Sequence, residues 1–187
     1  MNLAQAISLY ANSETISRAV RRVFVKKTGK ARGSDIIGED IKQTAIREAT
    51  KVSGSLGPDQ LQEIKDFVDQ RLEYISNTFK KLNDPMKDRS DERAEFVGET
   101  EERAAREFGR AKGHEWSGEG AQKQWVTLDP CLVCAENEEA GPIAVGEDFP
   151  SGHYSPPAHP NCVCTLEYVQ DEDEDYDEDV EYDEDEE

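Results

Sequence analysis

The sequence predicts an α+β protein: a helical N-terminal part, a small β-rich C-terminal module held by a metal site, and a disordered acidic tail. Three observations lead there. Apolar residues recur at helical spacing before residue 113. Short strand patterns with frequent Gly and Pro take over after residue 121. All four cysteines fall between residues 131 and 164. The expected boundaries are 1–85 for the helical region, 86–170 for the cysteine-bearing module and 171–187 for the tail.

Residues 2–27 carry the first helical pattern, with Ser13 as a cap and Ile16, Val20, Val23 and Phe24 on one side. Arg18, Arg21, Arg22, Lys26 and Lys27 make its end basic, where a helix dipole favours cations; a nucleic-acid or acidic-partner contact is the sharper alternative. Asp35 to Val52 reads as a second helix, with Ile37, Ile41, Ala45 and Ala49 at four-residue steps. Pro58 to about Leu82 is the strongest pattern. Leu61, Ile64, Val68, Leu72, Ile75, Phe79 and Leu82 form one stripe, suited to a bundle core or, being narrow, to an oligomer seam. A last helix is expected from Asp88 to Lys112, carrying Phe96, Val97, Ala104, Ala105 and Phe108 and closed by Gly113. Residues 114–120 read as a loop, 123–128 and 163–169 as strands, and Trp125 as core.

The chain is polar, 35% hydrophobic and 34% charged, so one large core is not expected and a small module needs a staple. Its net charge of −20 sits mainly in the tail, where residues 171–187 hold 14 acidic residues and no basic ones. Too few apolar groups remain there for it to fold alone. The first 51 residues are basic by contrast, with 10 Lys and Arg against 5 Asp and Glu. No apolar run approaches the length of a membrane span, and Met1 to Tyr10 lacks the charged start and apolar stretch of a signal peptide. Synthesis in a reducing cytoplasm is the expectation, and there clustered cysteines suggest metal before disulfides.

Those cysteines form two pairs, Cys131-x-x-Cys134 and Cys162-x-Cys164, with His159 just before the second. Zinc takes four such ligands in a tetrahedron, and two pairs satisfy it if the strands beside them meet. Cys131, Cys134, Cys162 and Cys164 are the expected set; His159 is the alternative to one of the last pair, or a residue that orients the loop. Disulfides, and buried or spare thiols, remain the other readings. A redox C-x-x-C would sit at a helix start in a strand–helix frame, and none is evident behind Asp129-Pro130. A catalytic zinc would need an open position beside an acid or base; Asp129, Glu136 and His153 are at hand without a fixed geometry. His159 near Cys162 permits Cys–His nucleophilic catalysis but does not argue for it.

The wider string is more specific. Lys123-x-Trp125-x-Thr127-x-Asp129, Cys131-x-x-Cys134, Gly141, then Pro156-Pro157-x-His159-Pro160-Asn161-Cys162-x-Cys164 resembles, in that order, the C-terminal module of the phage Mu F-like head morphogenesis (minor capsid) family. Thr100-Glu101 match the helix that precedes the module in the family, with Glu99 where an arginine is usual and Val163 where another stands between the cysteines. The likeness covers roughly 96–169. It implies a non-enzymatic virion component made in the host cytoplasm and acting in head assembly near the portal. Portal or other capsid proteins would be its partners, with DNA touched at most indirectly, and no membrane or small-molecule substrate. Two other classes stay open: a zinc-stabilised nucleic-acid-binding protein or nuclease, for which His114 and His153 lack the required frame, and a regulatory interaction protein acting through its acidic tail.

Overall fold

A computed structural model describes residue 18 and residues 30–80, 90–128 and 130–169. The expected first helix lies outside them apart from residue 18, as do the chain break at Asn83-Asp84-Pro85 and the acidic tail. The described residues form four helices and one antiparallel sheet, a mixed α+β architecture. In chain order these are α1 (Lys30–Ser53), α2 (Pro58–Lys80), α3 (Ser90–Ser117), β1 (Gln122–Val126), α4 (Leu132–Glu139), β2 (Ile143–Ala144) and β3 (Thr165–Val169).

The helical core forms where three apolar stripes meet. Ile37, Ile41 and Ala45 of α1, Ile64, Val68 and Ile75 of α2, and Ala105 and Phe108 of α3 are buried together. The α2 stripe is therefore a core face over Ile64, Val68 and Ile75. Phe67 stacks flat on Phe108 at 4.0 Å between ring centroids. Across the same joint Arg71 of α2 makes a two-pronged ion pair with the buried Glu101 of α3, at 2.6 and 2.7 Å. On α3, Val97 packs against this core while Phe96 points outward.

The strongest correction concerns the end of α3. Gly113 does not close the helix, which runs on to Ser117, so residues 114–117 are helical rather than loop. Gly109 and Gly113 instead bring α3 against α1. A Cβ at Gly109 would lie 2.9 Å from the Ala45 Cα and closer still to the Ala45 carbonyl oxygen; one at Gly113 would lie 2.8 Å from the Ala49 carbonyl oxygen. Small residues four apart on both helices let the two backbones touch. Gly118, at φ 71°, is the glycine that follows the last turn. Trp116, expected in a loop, lies on that last turn against the helical core.

The sheet has the order β2-β1-β3, with both pairings antiparallel. Lys123 and Trp125 of β1 and Leu166 of β3 are buried, the period-two burial expected of a one-sided sheet. Trp125 and Leu166 form a second core with Phe149, Ala111 of α3 and three of the cysteines. α3 thus serves both cores. Its buried Glu107 accepts the Leu166 backbone N–H at 3.3 Å and pairs with Arg106 and Arg110, tying β3 to the helix.

The backbone contact makes a prediction about size. Gly109→Ala should destabilise the fold by about 1–3 kcal/mol, because overpacking outweighs the helix preference for alanine. Gly38→Ala, whose Cβ would meet only side chains, Leu72 at 3.1 Å and Val68 at 3.5 Å, should stay within about 1 kcal/mol of the parent. Paired urea denaturation curves of the two variants measure the contrast.

Candidate metal centre

The site is built where β1 and β3 share one end. The register pairs Val126 with Thr165, so the segment leaving β1 and the segment entering β3 emerge side by side. Cys131-x-x-Cys134 lies on the first and Cys162-x-Cys164 on the second. The meeting of strands that the spacing required is what the ladder supplies.

Local chemistry then aims each residue. Cys131 is the N-cap of α4 and its carbonyl oxygen accepts the Ala135 N–H at 2.9 Å. One helical turn brings Cys134 inward while Cys131 stays exposed. A strand, a short connection and a helix do frame this C-x-x-C, contrary to the expectation. The eight-residue α4 was invisible because its sequence carries almost no apolar periodicity. Glu138 of α4 clasps the end of β1, accepting from the Thr127 N–H at 3.0 Å and the Thr127 hydroxyl at 2.6 Å. Asn137 accepts the Ser151 N–H at 3.2 Å and so holds the following loop.

His159-Pro160-Asn161-Cys162 is a tight turn, closed by the Cys162 N–H donating to the His159 carbonyl at 3.1 Å. Asn161 has φ 62°, the left-handed region that asparagine tolerates better than other side chains. Arg103 of α3 donates to the Cys162 carbonyl oxygen from outside. The sequence offered no signal for Arg103, since only folding brings α3 across the turn.

Five donors converge. Cys131, Cys134 and His159 form one group and Cys134, Cys162 and Cys164 another, each with its ligand atoms within 4.8 Å of one another. Cys134 belongs to both. Its sulfur lies 3.4 Å from His159 Nε2 and 3.8 Å from the Cys162 sulfur. Two thiolates bound to one tetrahedral zinc sit about 3.8 Å apart, and a thiolate and an imidazole nitrogen about 3.5 Å. These two spacings suit a zinc-sized ion, and each group of three could hold a metal.

Burial and local hydrogen bonds set the protonation of the cluster unequally. Burial pushes the Cys134 and Cys164 thiols up, so without an ion both keep their protons. The Cys134 backbone N–H, pointing at the Cys131 sulfur, draws that thiol down. His159 Nδ1 lies 2.8 Å from the Pro160 carbonyl oxygen, which can only accept. The ring proton is thus on Nδ1 and the Nε2 lone pair faces Cys134, the tautomer of a metal-bound histidine. His159 both orients the loop and joins the cluster. The buried Trp125 indole N–H meets no hydrogen-bond criterion with any neighbour.

The other candidates stand apart. His153 pairs with the Ser151 hydroxyl at 2.8 Å, His114 stacks on Tyr168 at 3.9 Å, and Glu136 is exposed; none belongs to either group of donors. Asp129 lies outside the described residues. Comparison of the chain with protein-family models, with curated proteins and with solved structures finds no match in any of the three. The motif order read from the sequence therefore remains a resemblance. Among the described residues, no helix is long and apolar enough to cross a membrane.

Beside the cluster, Lys123 carries a buried ammonium. Nζ donates to the Tyr154 carbonyl oxygen at 2.8 Å and sits 3.5 Å from the Tyr154 ring centroid. Burial lowers its pKa from 10.5 to about 8, against the pull of Asp148 and Glu115. The folded state therefore gives up a proton that the unfolded chain keeps between those two values. From this group, stability rises with pH through that window, and the full penalty applies below pH 8. Lys123→Met should therefore compare best with the parent below pH 8, and the parent should gain on it by up to about 3 kcal/mol toward pH 10.5. Urea titrations of both proteins at pH 7.5 and 9.5 test the sign; a gap independent of pH would refute it.

Proposed function

We propose that this chain is a phage or prophage head-morphogenesis (minor capsid) protein whose C-terminal module is closed by one structural zinc. The observation that carries the zinc is the packing of the cysteines. Cys134, Cys162 and Cys164 are core residues, 1%, 2% and 3% exposed, in one cluster with Trp125, Phe149 and Leu166. Catalytic zinc keeps a position open to substrate. Here the donors outnumber the four places of a tetrahedron and three of them are walled by apolar side chains, which favours a cross-link over a reaction centre. A dithiol redox role fits less well, because the inner cysteine of the C-x-x-C touches a sulfur and a nitrogen from the opposite segment.

The phage reading is supported by the motif order between Lys123 and Cys164. It makes the protein a non-enzymatic part of the virion, with the portal or another capsid protein as partner.

Native mass spectrometry of protein purified under reducing conditions should find one zinc per chain. Removal by chelator should lower the melting temperature and expose the second core, with α1 to α3 keeping more of their structure. Cys134→Ser should abolish zinc retention. Free thiols in a folded, metal-free protein would overturn the zinc assignment. Coexpression with the portal protein of the same genome, followed by size exclusion, tests the assembly role: coelution supports it, and separate elution of two folded proteins counts against it.

A further inference from the structure

The cluster holds one donor more than a zinc tetrahedron uses, and the donors are not equivalent. Cys134, Cys162 and Cys164 are buried, and each is fixed by the second core. Cys131 and His159 lie at the rim and reach the buried triad only through Cys134. Cys131 is exposed at the start of α4, between the exposed Pro130 and Leu132. His159 sits on the opposite segment, half-buried, with its Nε2 lone pair already directed at Cys134. Neither side chain belongs to the second core.

We propose that Cys134, Cys162 and Cys164 hold the zinc permanently and that Cys131 and His159 compete for its fourth place. This rests on the zinc reading given above. In the exchange the His159 Nε2 lone pair forms a bond to the metal and the Cys131 sulfur–metal bond breaks. The sulfur leaves with its electron pair and takes a proton from solvent; nothing is oxidised or reduced. The outcome is a site that frees a surface thiol without losing its ion. An incoming thiol or chelator can enter by the same side, so the rim is also where metal would be loaded and removed.

The test uses the full chain with Zn²⁺ in competition with a chromophoric chelator, and with Co²⁺ as a spectroscopic substitute. Cys131→Ser and His159→Ala should each keep one metal per chain and weaken affinity by about tenfold or less. The double variant should lose more than the two single losses combined, and Cys162→Ser should lose binding outright. In the Co²⁺ spectra, the thiolate charge-transfer band should weaken in Cys131→Ser and strengthen in His159→Ala. Loss of metal from Cys131→Ser alone, as complete as in Cys162→Ser, would show a fixed four-cysteine site. The same loss from His159→Ala alone would show a fixed three-cysteine, one-histidine site. Retention of full affinity by the double variant would show that neither residue is a ligand. Each of these overturns the exchange while leaving zinc in place, whereas a parent protein that binds no zinc overturns the zinc reading itself. A check without substitution is alkylation of the zinc-loaded parent. One adduct, at Cys131, with zinc retained supports the exchange; zinc loss on that modification refutes it.

Discussion

The fold depends on how closely α3 can approach α1. At Gly109 and Gly113 the α3 backbone rests on the α1 backbone at Ala45 and Ala49, with no side chain between. Any Cβ at Gly109 would push the helices apart. The approach lets the adjoining face of α3 reach Ile37 and Ile41 through Ala105, and it leaves the other side of the same helix to the sheet through Ala111. A single 28-residue helix thus becomes the common wall of two small cores. Neither core is large, so the wall between them is where their stabilities add.

Polar groups in that wall set its register. Glu101 meets Arg71 of α2, and Glu107 meets the Leu166 N–H of β3, both from positions with no solvent exposure. A buried carboxylate that loses its partner is costly, whereas the same carboxylate with its partner contributes little net stability. Such pairs therefore penalise misplacement more than they reward formation. The same logic holds around Tyr154, which packs against both cores. Its hydroxyl donates to Glu115 at 2.6 Å, and Lys112 pairs with Glu115 and with Glu63 of α2, each at 2.9 Å. Lys123 comes at the Tyr154 carbonyl and ring from the sheet side. One chain of contacts runs from α2 through α3 to β1.

The cysteine cluster inherits its precision from these elements. β1 and β3 place the two cysteine segments side by side, one turn of α4 swings Cys134 inward, and the left-handed Asn161 turns Cys162 back toward it. Arg103 then anchors the Cys162 carbonyl to α3, so the metal site and the helical part are not independent pieces. Cys134 stands from His159 and from Cys162 at spacings a tetrahedral ion would accept. Three of the candidate donors are part of the second core itself.

Several features were legible in the sequence because they depend on local patterns. Helical stripes at Ile37, Ile41, Ala45 and Ala49 and along α2 follow from period alone, as does the burial of Trp125. The candidate donors themselves are named by C-x-x-C, C-x-C and the histidine between them. Gly113 was misread because glycine has two uses, ending a helix or admitting a neighbour, and the sequence does not say whether a neighbour is there. α4 was missed because eight residues with little apolar contrast carry no period, and its helix is held from outside by Thr127 and Ser151. What the sequence by itself determined is the alphabet of the site, the α+β class and the succession of a helical part by a strand-bearing one. Only the tertiary structure decided that α3 runs through its glycines to serve two cores, and that His159 stands with the cysteines instead of merely beside them. Those outcomes rest on contacts between residues far apart in the chain, whose distances no local pattern encodes.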